Sequence, residues 1–119
     1  MTVDQDVTHN VYARALEILR DRGWTQQTDY DDQGRTCILG ACAQAVGKYE
    51  NWFNLPDGVL TSLNDVIEEQ WPGESRLLYD HLGACWNSLP YRWNDLPNRT
   101  QADVELVLEK AAVSFEETR

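Results

Sequence analysis

Residues 100–115 read TQADVELVLEKAAVSF, and they carry the clearest helical signal in the chain. Thr100 and Asp103 resemble a capping box, with Asp in place of the usual Glu or Gln at the third helical position. The apolar residues that follow recur at helical spacing: Val104, Val107, Leu108, Ala111 and Phe115. This pattern predicts a final amphipathic helix that packs one face against the rest of the molecule.

Four further segments upstream show the same periodicity. They span about His9 to Arg22, Cys37 to Val46, Asp57 to Gln70 and Glu74 to Asn87. Thr8 and Thr36 are the expected N-caps of the first two, and Gly23 and Gly47 the expected stops. The stripe predicted to face the core on the fourth segment is Leu77, Leu78, His81, Leu82, Cys85 and Trp86.

The connections between these helices are long and carry turn-forming residues. Residues 24–36 predict a loop with at most a minor hairpin, and residues 48–56 and 88–99 predict loops that hold several aromatic side chains. Five short helices joined in this way predict an all-α fold, packed as a compact bundle. We expect residues 1–119 to form a single helical domain whose residues 1–7 are frayed.

Composition excludes several classes of protein. The 119 residues carry 10 Lys or Arg and 20 Asp or Glu, a formal net charge of −10. This balance disfavours non-specific nucleic-acid binding and anionic membranes, but it suits a basic protein partner. The sequence shows no export signal or membrane span, and its three cysteines cannot all pair within one chain. We therefore expect a cytoplasmic protein with free thiols.

Several short motifs occur together in a distinctive order. They are Arg22-Gly23-Trp24-Thr25-Gln26, Asp32-Gln33-Gly34-Arg35-Thr36-Cys37, Leu39-Gly40-Ala41, Trp93-Asn94-Asp95 and Arg99-Thr100. From about Ala13 to Ala112, the chain resembles a family of small uncharacterised proteins of actinobacteria and their phages. In that family Arg-Gly-Trp, Gly-x-x-Cys-x-x-Gly-Ala and Trp-Asn-Asp motifs recur in this order. The resemblance implies a bacterial or phage cytoplasm, and it implies no particular activity.

One set of residues could carry nucleophilic catalysis. With Thr36 as N-cap, Cys37 occupies the first helical position, where the helix dipole lowers a thiol pKa. His81 is then the candidate base, and Asn94 or Asp95 the residue that orients it, in the order used by papain-like enzymes. Core positions explain both residues better: Cys is among the residue types most often buried, and a histidine on an apolar helix stripe is usually a hydrogen-bonded core residue. A cysteine-dependent hydrolase or transferase is therefore the alternative function, and an enzyme is the less favoured class.

The sequence indicates no metal site and no cofactor. His81 and Cys85 are four residues apart, a spacing that can hold one ion between two ligands. Cys37 and Cys42 are five apart, which does not place them on one helix face. Structural zinc sites usually contain closer pairs such as Cys-x-x-Cys, and the sequence has none, so zinc is not expected. No phosphate-binding loop or nucleotide motif is visible.

Charged and aromatic residues suggest two binding surfaces. The region from Asp65 to Asp80 sums to −4, which fits a solvated face, a docking patch for a basic partner or a DNA-mimic surface. The candidate contact residues of a second, near-neutral surface are Trp52, Tyr91, Arg92, Trp93 and Asp95. The aromatic side chains could instead plug the ends of the core, and Asn94 and Asp95 could cap backbone groups.

The favoured interpretation is a protein-interaction module. In a phage setting, its partner would be a host factor whose activity it modulates. An accessory protein with no site of its own is a third interpretation.

Overall fold

The computed structural model describes residues 10–47 and 55–118, and within them the chain forms six α-helices. They are α1 (Val11–Arg22), α2 (Ile38–Val46), α3 (Asp57–Gln70), α4 (Pro72–His81), α5 (Leu89–Asn94) and α6 (Gln101–Thr118). The predicted all-α bundle is confirmed. The expected minor hairpin is reduced to two isolated bridges, Trp24 with Thr36 and Tyr30 with Thr36.

Helix α1 begins at Val11, two residues later than predicted, because Asn10 is its N-cap. The Asn10 side-chain oxygen accepts hydrogen bonds from the backbone N–H groups of Tyr12 and Ala13, both at 3.2 Å. Its amide group donates to the Ala112 carbonyl at 2.9 Å, which ties the start of α1 to α6. The predicted cap Thr8, and the frayed segment 1–7, lie outside the described residues.

Helix α2 is the central helix of the bundle, since seven of its nine residues are buried. It packs against α1 and α5. Gly40 allows the closest approach: a Cβ there would lie 2.6 Å from the Asp29 carbonyl oxygen and 2.4 Å from Thr36 Oγ1. The 24–36 segment therefore rests directly on the α2 backbone, which only glycine permits at this position.

Helix α4 is shorter than predicted, and the stripe assigned to it does not face the core. The helix ends at His81, and Gly83 adopts a positive φ of 75° that turns the chain away. Leu78 is buried, but Leu77, Leu82 and Trp86 are 42%, 45% and 47% exposed. His81 is also exposed, so the alternative interpretation of it as a core residue is wrong.

Residues 88–99, predicted to form a loop, contain the short helix α5. Pro90 lies in its first turn, where backbone N–H groups have no acceptor within the helix. The N–H that proline lacks is therefore not needed there. Helix α5 contacts α2, α3 and α4, while α6 packs against α1 and α3. Across residues 10–47 and 55–118, none of the helices combines the length and the apolar character needed to cross a bilayer.

Candidate functional site

Asn94, at the end of α5, is the centre of a buried hydrogen-bond network. Its Oδ1 accepts from Trp24 Nε1 at 2.9 Å and from the Ile38 backbone N–H at 3.1 Å. Its Nδ2 donates to the Thr25 carbonyl at 3.2 Å and to Asp95 Oδ1 at 3.1 Å. One fully buried side chain thus joins the 24–36 segment, the first turn of α2 and the end of α5.

The residues beside Asn94 complete this attachment. Asp95 Oδ1 accepts the Gln27 backbone N–H at 2.8 Å, at a position where Gln27 has a positive φ of 68°. Gln26 Nε2 donates to the carbonyls of Asn94 and Leu96 at 3.0 and 2.9 Å. The side chains of Asn94 and Asp95 do bind backbone groups, but these groups are 56 to 69 positions away and not in the local Asx turn that was predicted. These contacts link the Trp-Asn-Asp motif to the Arg-Gly-Trp segment.

Trp93 is fully buried, so its predicted role as an exposed contact residue is wrong. The Arg99 guanidinium lies 3.9 Å from the centroid of its ring, and Arg99 Nε donates to the Trp93 carbonyl at 3.1 Å. Arg99 also pairs with Glu74, and with Asp103 at 3.0 Å. Trp93 therefore plugs the bundle, and Arg99 links α4, α5 and α6 around it.

The other predicted contact residues do not form one surface with Trp93. Tyr91 is 38% exposed, and the partly exposed Arg92 donates through Nη2 to the Leu82 carbonyl. Asp95 is engaged with Gln27. Trp52 lies outside the described residues.

Cys37 is the N-cap of α2, not its first helical residue as predicted. Its sulfur accepts the Gly40 N–H at 3.3 Å and lies 4.0 Å from Asp29 Oδ1. Burial, reinforced by the nearby Asp29 carboxylate, raises the pKa of the Cys37 thiol to about 12. This shift is the reverse of the activation that a nucleophile needs.

The structure also does not join Cys37 to its predicted base, His81. His81 is exposed in the last turn of α4, and among the hydrogen bonds of the described residues none joins it to Cys37. Asn94 is fully occupied by the contacts described above. The predicted set Cys37, His81 and Asn94 or Asp95 is therefore not assembled as a catalytic triad.

Cys85 differs from the other two cysteines because it is exposed. A hydrogen bond from the Ser88 hydroxyl lowers the pKa of its thiol. Since α4 ends at His81, Cys85 does not share a helix face with that histidine. In the part of the chain that the structure describes, no group of three or more His, Cys, Asp or Glu residues could hold a metal ion.

A groove of about 580 Å³ runs between α3 and α6. On the α3 side its lining residues are Ser62, Asp65, Val66 and Glu69. On the α6 side they are Leu106, Glu109, Lys110, Val113, Ser114 and Glu117. Four carboxylates against one lysine make the groove acidic, and the side chains of Leu106 and Val113 are 36% and 57% exposed within it. We call this feature the acidic groove.

Sequence reasoning found only half of the acidic groove. The acidic region 65–80 includes Asp65 and Glu69. Nothing in the sequence pattern indicates that Glu109 and Glu117 lie beside them in space. A signal was present in α6, because Leu106 and Val113 are seven residues apart and lie off the stripe that faces the core. Two apolar residues on the outer face of a helix indicate an exposed apolar surface that a binding partner can cover.

Comparison with known proteins places the chain in a family. The model of a family of unknown function, DUF6197, matches residues 4–114. No curated protein and no solved structure matches the chain. Because the match covers almost the whole sequence, the chain belongs to this family of unknown function, as its resemblance to a family of uncharacterised proteins indicated.

Proposed function

We propose that this chain is a protein-interaction module that binds a basic segment of another protein in the acidic groove. The observation that carries the proposal is the combination of exposed apolar side chains and carboxylates in one concave surface. Leu106 and Val113 supply apolar area that a partner would remove from water. Asp65, Glu69 and Glu117 surround that area with negative charge.

Charge supports a basic partner in two ways. The chain as a whole carries −10, so its long-range field attracts cationic surfaces and accelerates their encounter. At short range, Glu109 already binds a cation, because its carboxylate accepts a hydrogen bond from Arg20 Nη2 at 3.0 Å. A Lys or Arg of a partner would meet the same chemistry at Asp65 and Glu69.

The setting in which this binding would act is part of the proposal. In the cytoplasm of a bacterium, encoded by the cell or by an infecting phage, a small acidic chain of this kind would occupy a basic surface of a host factor and modulate its activity. No catalytic step is needed for that role, which agrees with the raised pKa of the Cys37 thiol.

The test is binding of a fluorescein-labelled peptide rich in Lys and Leu, measured by anisotropy over a range of salt concentrations. The variant Asp65→Lys/Glu69→Lys reverses two charges inside the groove. Its control, Asp32→Lys/Asp80→Lys, makes the same change in net charge at two exposed positions outside it.

We expect the groove variant to bind about tenfold more weakly than the control. Each exposed pair contributes about 0.2–1 kcal/mol, and each reversal replaces an attraction with a repulsion of similar size. Equal affinities for the two variants would contradict the proposal, as would failure of the wild-type chain to bind the peptide at all.

A further inference from the structure

We infer that the occupant of the acidic groove is an amphipathic helix of about three turns, with apolar residues on one face and Lys or Arg along both edges, except opposite Lys110. The inference rests on the proposed function and adds the shape and pattern of the partner segment. It follows from the spacing, the length and the charge of the two walls.

Both walls of the groove are faces of helices. On α3 the lining positions 62, 65, 66 and 69 follow the three- and four-residue spacing of neighbours along one helix face. On α6 the positions 106, 109, 110, 113, 114 and 117 follow the same spacing. Except for the carbonyls in the last turn of each helix, the backbone N–H and C=O groups along such walls are already paired within the helix. The groove therefore offers side chains to a partner, and no backbone ladder.

This property selects against an extended partner. A strand-like peptide is held mainly by hydrogen bonds to an exposed sheet edge, and two helices provide no such edge. Its own backbone groups would lose water on entering the groove without gaining partners. A helix enters with its backbone already satisfied, so only its side chains need to match the walls.

The length of the groove sets the length of the occupant. Leu106 and Glu117 are 11 residues apart on α6, which corresponds to about 16 Å along the helix axis. A helix that covers this distance has about 11 or 12 residues. An extended chain would cross it in about five residues and would bury little of the apolar area.

The side chains set the pattern of the occupant. Leu106 and Val113 are two turns apart, so we expect two apolar residues of the partner at positions i and i+7 to cover them. Asp65 and Glu69 are one turn apart on α3 and call for Lys or Arg along that edge. On α6, Glu117 attracts a cation, whereas Lys110 favours a neutral or acidic residue near the middle of the opposite edge.

The test compares three labelled peptides, each of about 14 residues. In the first, Leu recurs at helical spacing with Lys on both flanks. The second has the same residues in scrambled order, and the third is the first with one central residue replaced by Pro. We expect the first peptide to bind at least tenfold more tightly than the others, and its circular dichroism to become more helical in the complex.

A pair of variants locates the binding site. Leu106→Ser/Val113→Ser removes both apolar side chains from the groove, and we expect it to weaken binding of the first peptide about tenfold. The control Leu77→Ser/Leu82→Ser alters two leucines of similar exposure, 42% and 45%, outside the groove, and we expect it to bind like wild type. Equal effects of the two double variants would overturn the inference.

The outcomes separate this inference from the proposed function. If all three peptides bind equally and all are weakened by Asp65→Lys/Glu69→Lys, the partner is basic but not helical, and the inference fails alone. If the wild-type chain binds none of them, both the inference and the proposed function fail.

Discussion

Replacing Asn94 with alanine should remove the side-chain hydrogen bonds that join the 24–36 segment to α2 and α5 through this residue. The substitution leaves the Trp24 indole N–H and the Ile38 backbone N–H without their acceptor, and the Thr25 carbonyl without its donor. Ile38 is fully buried, so water cannot replace the lost partner there. Each donor left unpaired in the interior costs about 1–3 kcal/mol.

We therefore expect Asn94→Ala to lower the free energy of unfolding by about 3–5 kcal/mol, a large share of the total for a domain of this size. The assay is urea unfolding followed by circular dichroism. With a urea dependence of about 2 kcal/mol per molar, the midpoint should fall by about 2 M. Hydrogen exchange should show faster exchange at the Ile38 amide.

Two further variants make the test decisive. Asn98→Ala removes an exposed asparagine from the same region and should change stability by no more than about 0.5 kcal/mol. Trp24→Phe removes only one of the two donors and should cost about 1–2 kcal/mol, so it remains informative if Asn94→Ala does not fold. An Asn94→Ala midpoint equal to that of Asn98→Ala would refute the reasoning.

Three other predictions concern backbone packing, the buried cation and the thiols. Gly40→Ala should lower the free energy of unfolding, followed by a thermal melt, by about 1–3 kcal/mol because its Cβ would lie 2.6 Å from a neighbouring backbone oxygen. Gly58 lies in α3 with open space around it, so Gly58→Ala should be neutral or stabilising by up to about 1 kcal/mol in the same melt. Arg99→Met should lower the free energy of unfolding in urea by about 2–3 kcal/mol, because it leaves two carboxylates and two indole rings without their shared cation. A decrease of less than about 1 kcal/mol would contradict this interpretation. At pH 8 a disulfide-exchange reagent should label Cys85 rapidly because its pKa is lowered, and Cys37 only on unfolding. A rapid phase that survives in Cys85→Ser would count against this assignment.

The parts of the fold that were predictable from the sequence are those governed by local contacts. The capping box at the start of α6 is confirmed, since Thr100 Oγ1 accepts the Asp103 N–H and Asp103 Oδ2 accepts the Thr100 N–H, each at 3.3 Å. Such reciprocal bonds involve residues three apart, so their pattern is visible in the sequence alone. The bounds of α3 were also correct, because Asp57 to Gln70 has unbroken periodicity that Trp71 and Pro72 terminate.

The parts that were not predicted depend on distant partners or on local signals that the wider pattern outweighed. Periodicity alone predicts a fourth helix that continues to about Asn87, but the helix ends at His81 and Gly83 adopts a positive φ. Two prolines made residues 88–99 resemble a loop, although Pro90 fits the first turn of a helix. The position of Trp93 is set by Arg99 and by packing against Trp71, whose ring centroid lies 5.0 Å away. The contacts of Trp93 leave no local pattern in the sequence, whereas Gly83 and Pro90 are local signals of a helix end and a helix start.

The acidic groove shows the same limit for the candidate site. Its α3 wall was found as a run of acidic residues, but its α6 wall is about 40 residues further along the chain. The proximity of the two walls is a property of helix packing, and the spacing within either helix does not contain it.

The bond between Asn94 and Ile38 also bears on how the protein is made. The two residues are 56 positions apart. At synthesis rates of about 5–20 residues per second, about 3–11 s pass between the appearance of the first and that of its partner. During that interval the apolar helix α2 exists without the side chain that accepts the Ile38 N–H, and the 24–36 segment lacks its hydrogen bonds to Asn94 and Asp95. The nascent chain is therefore exposed to aggregation and proteolysis before residue 94 emerges. A chain truncated upstream of that residue should not reach a stable fold.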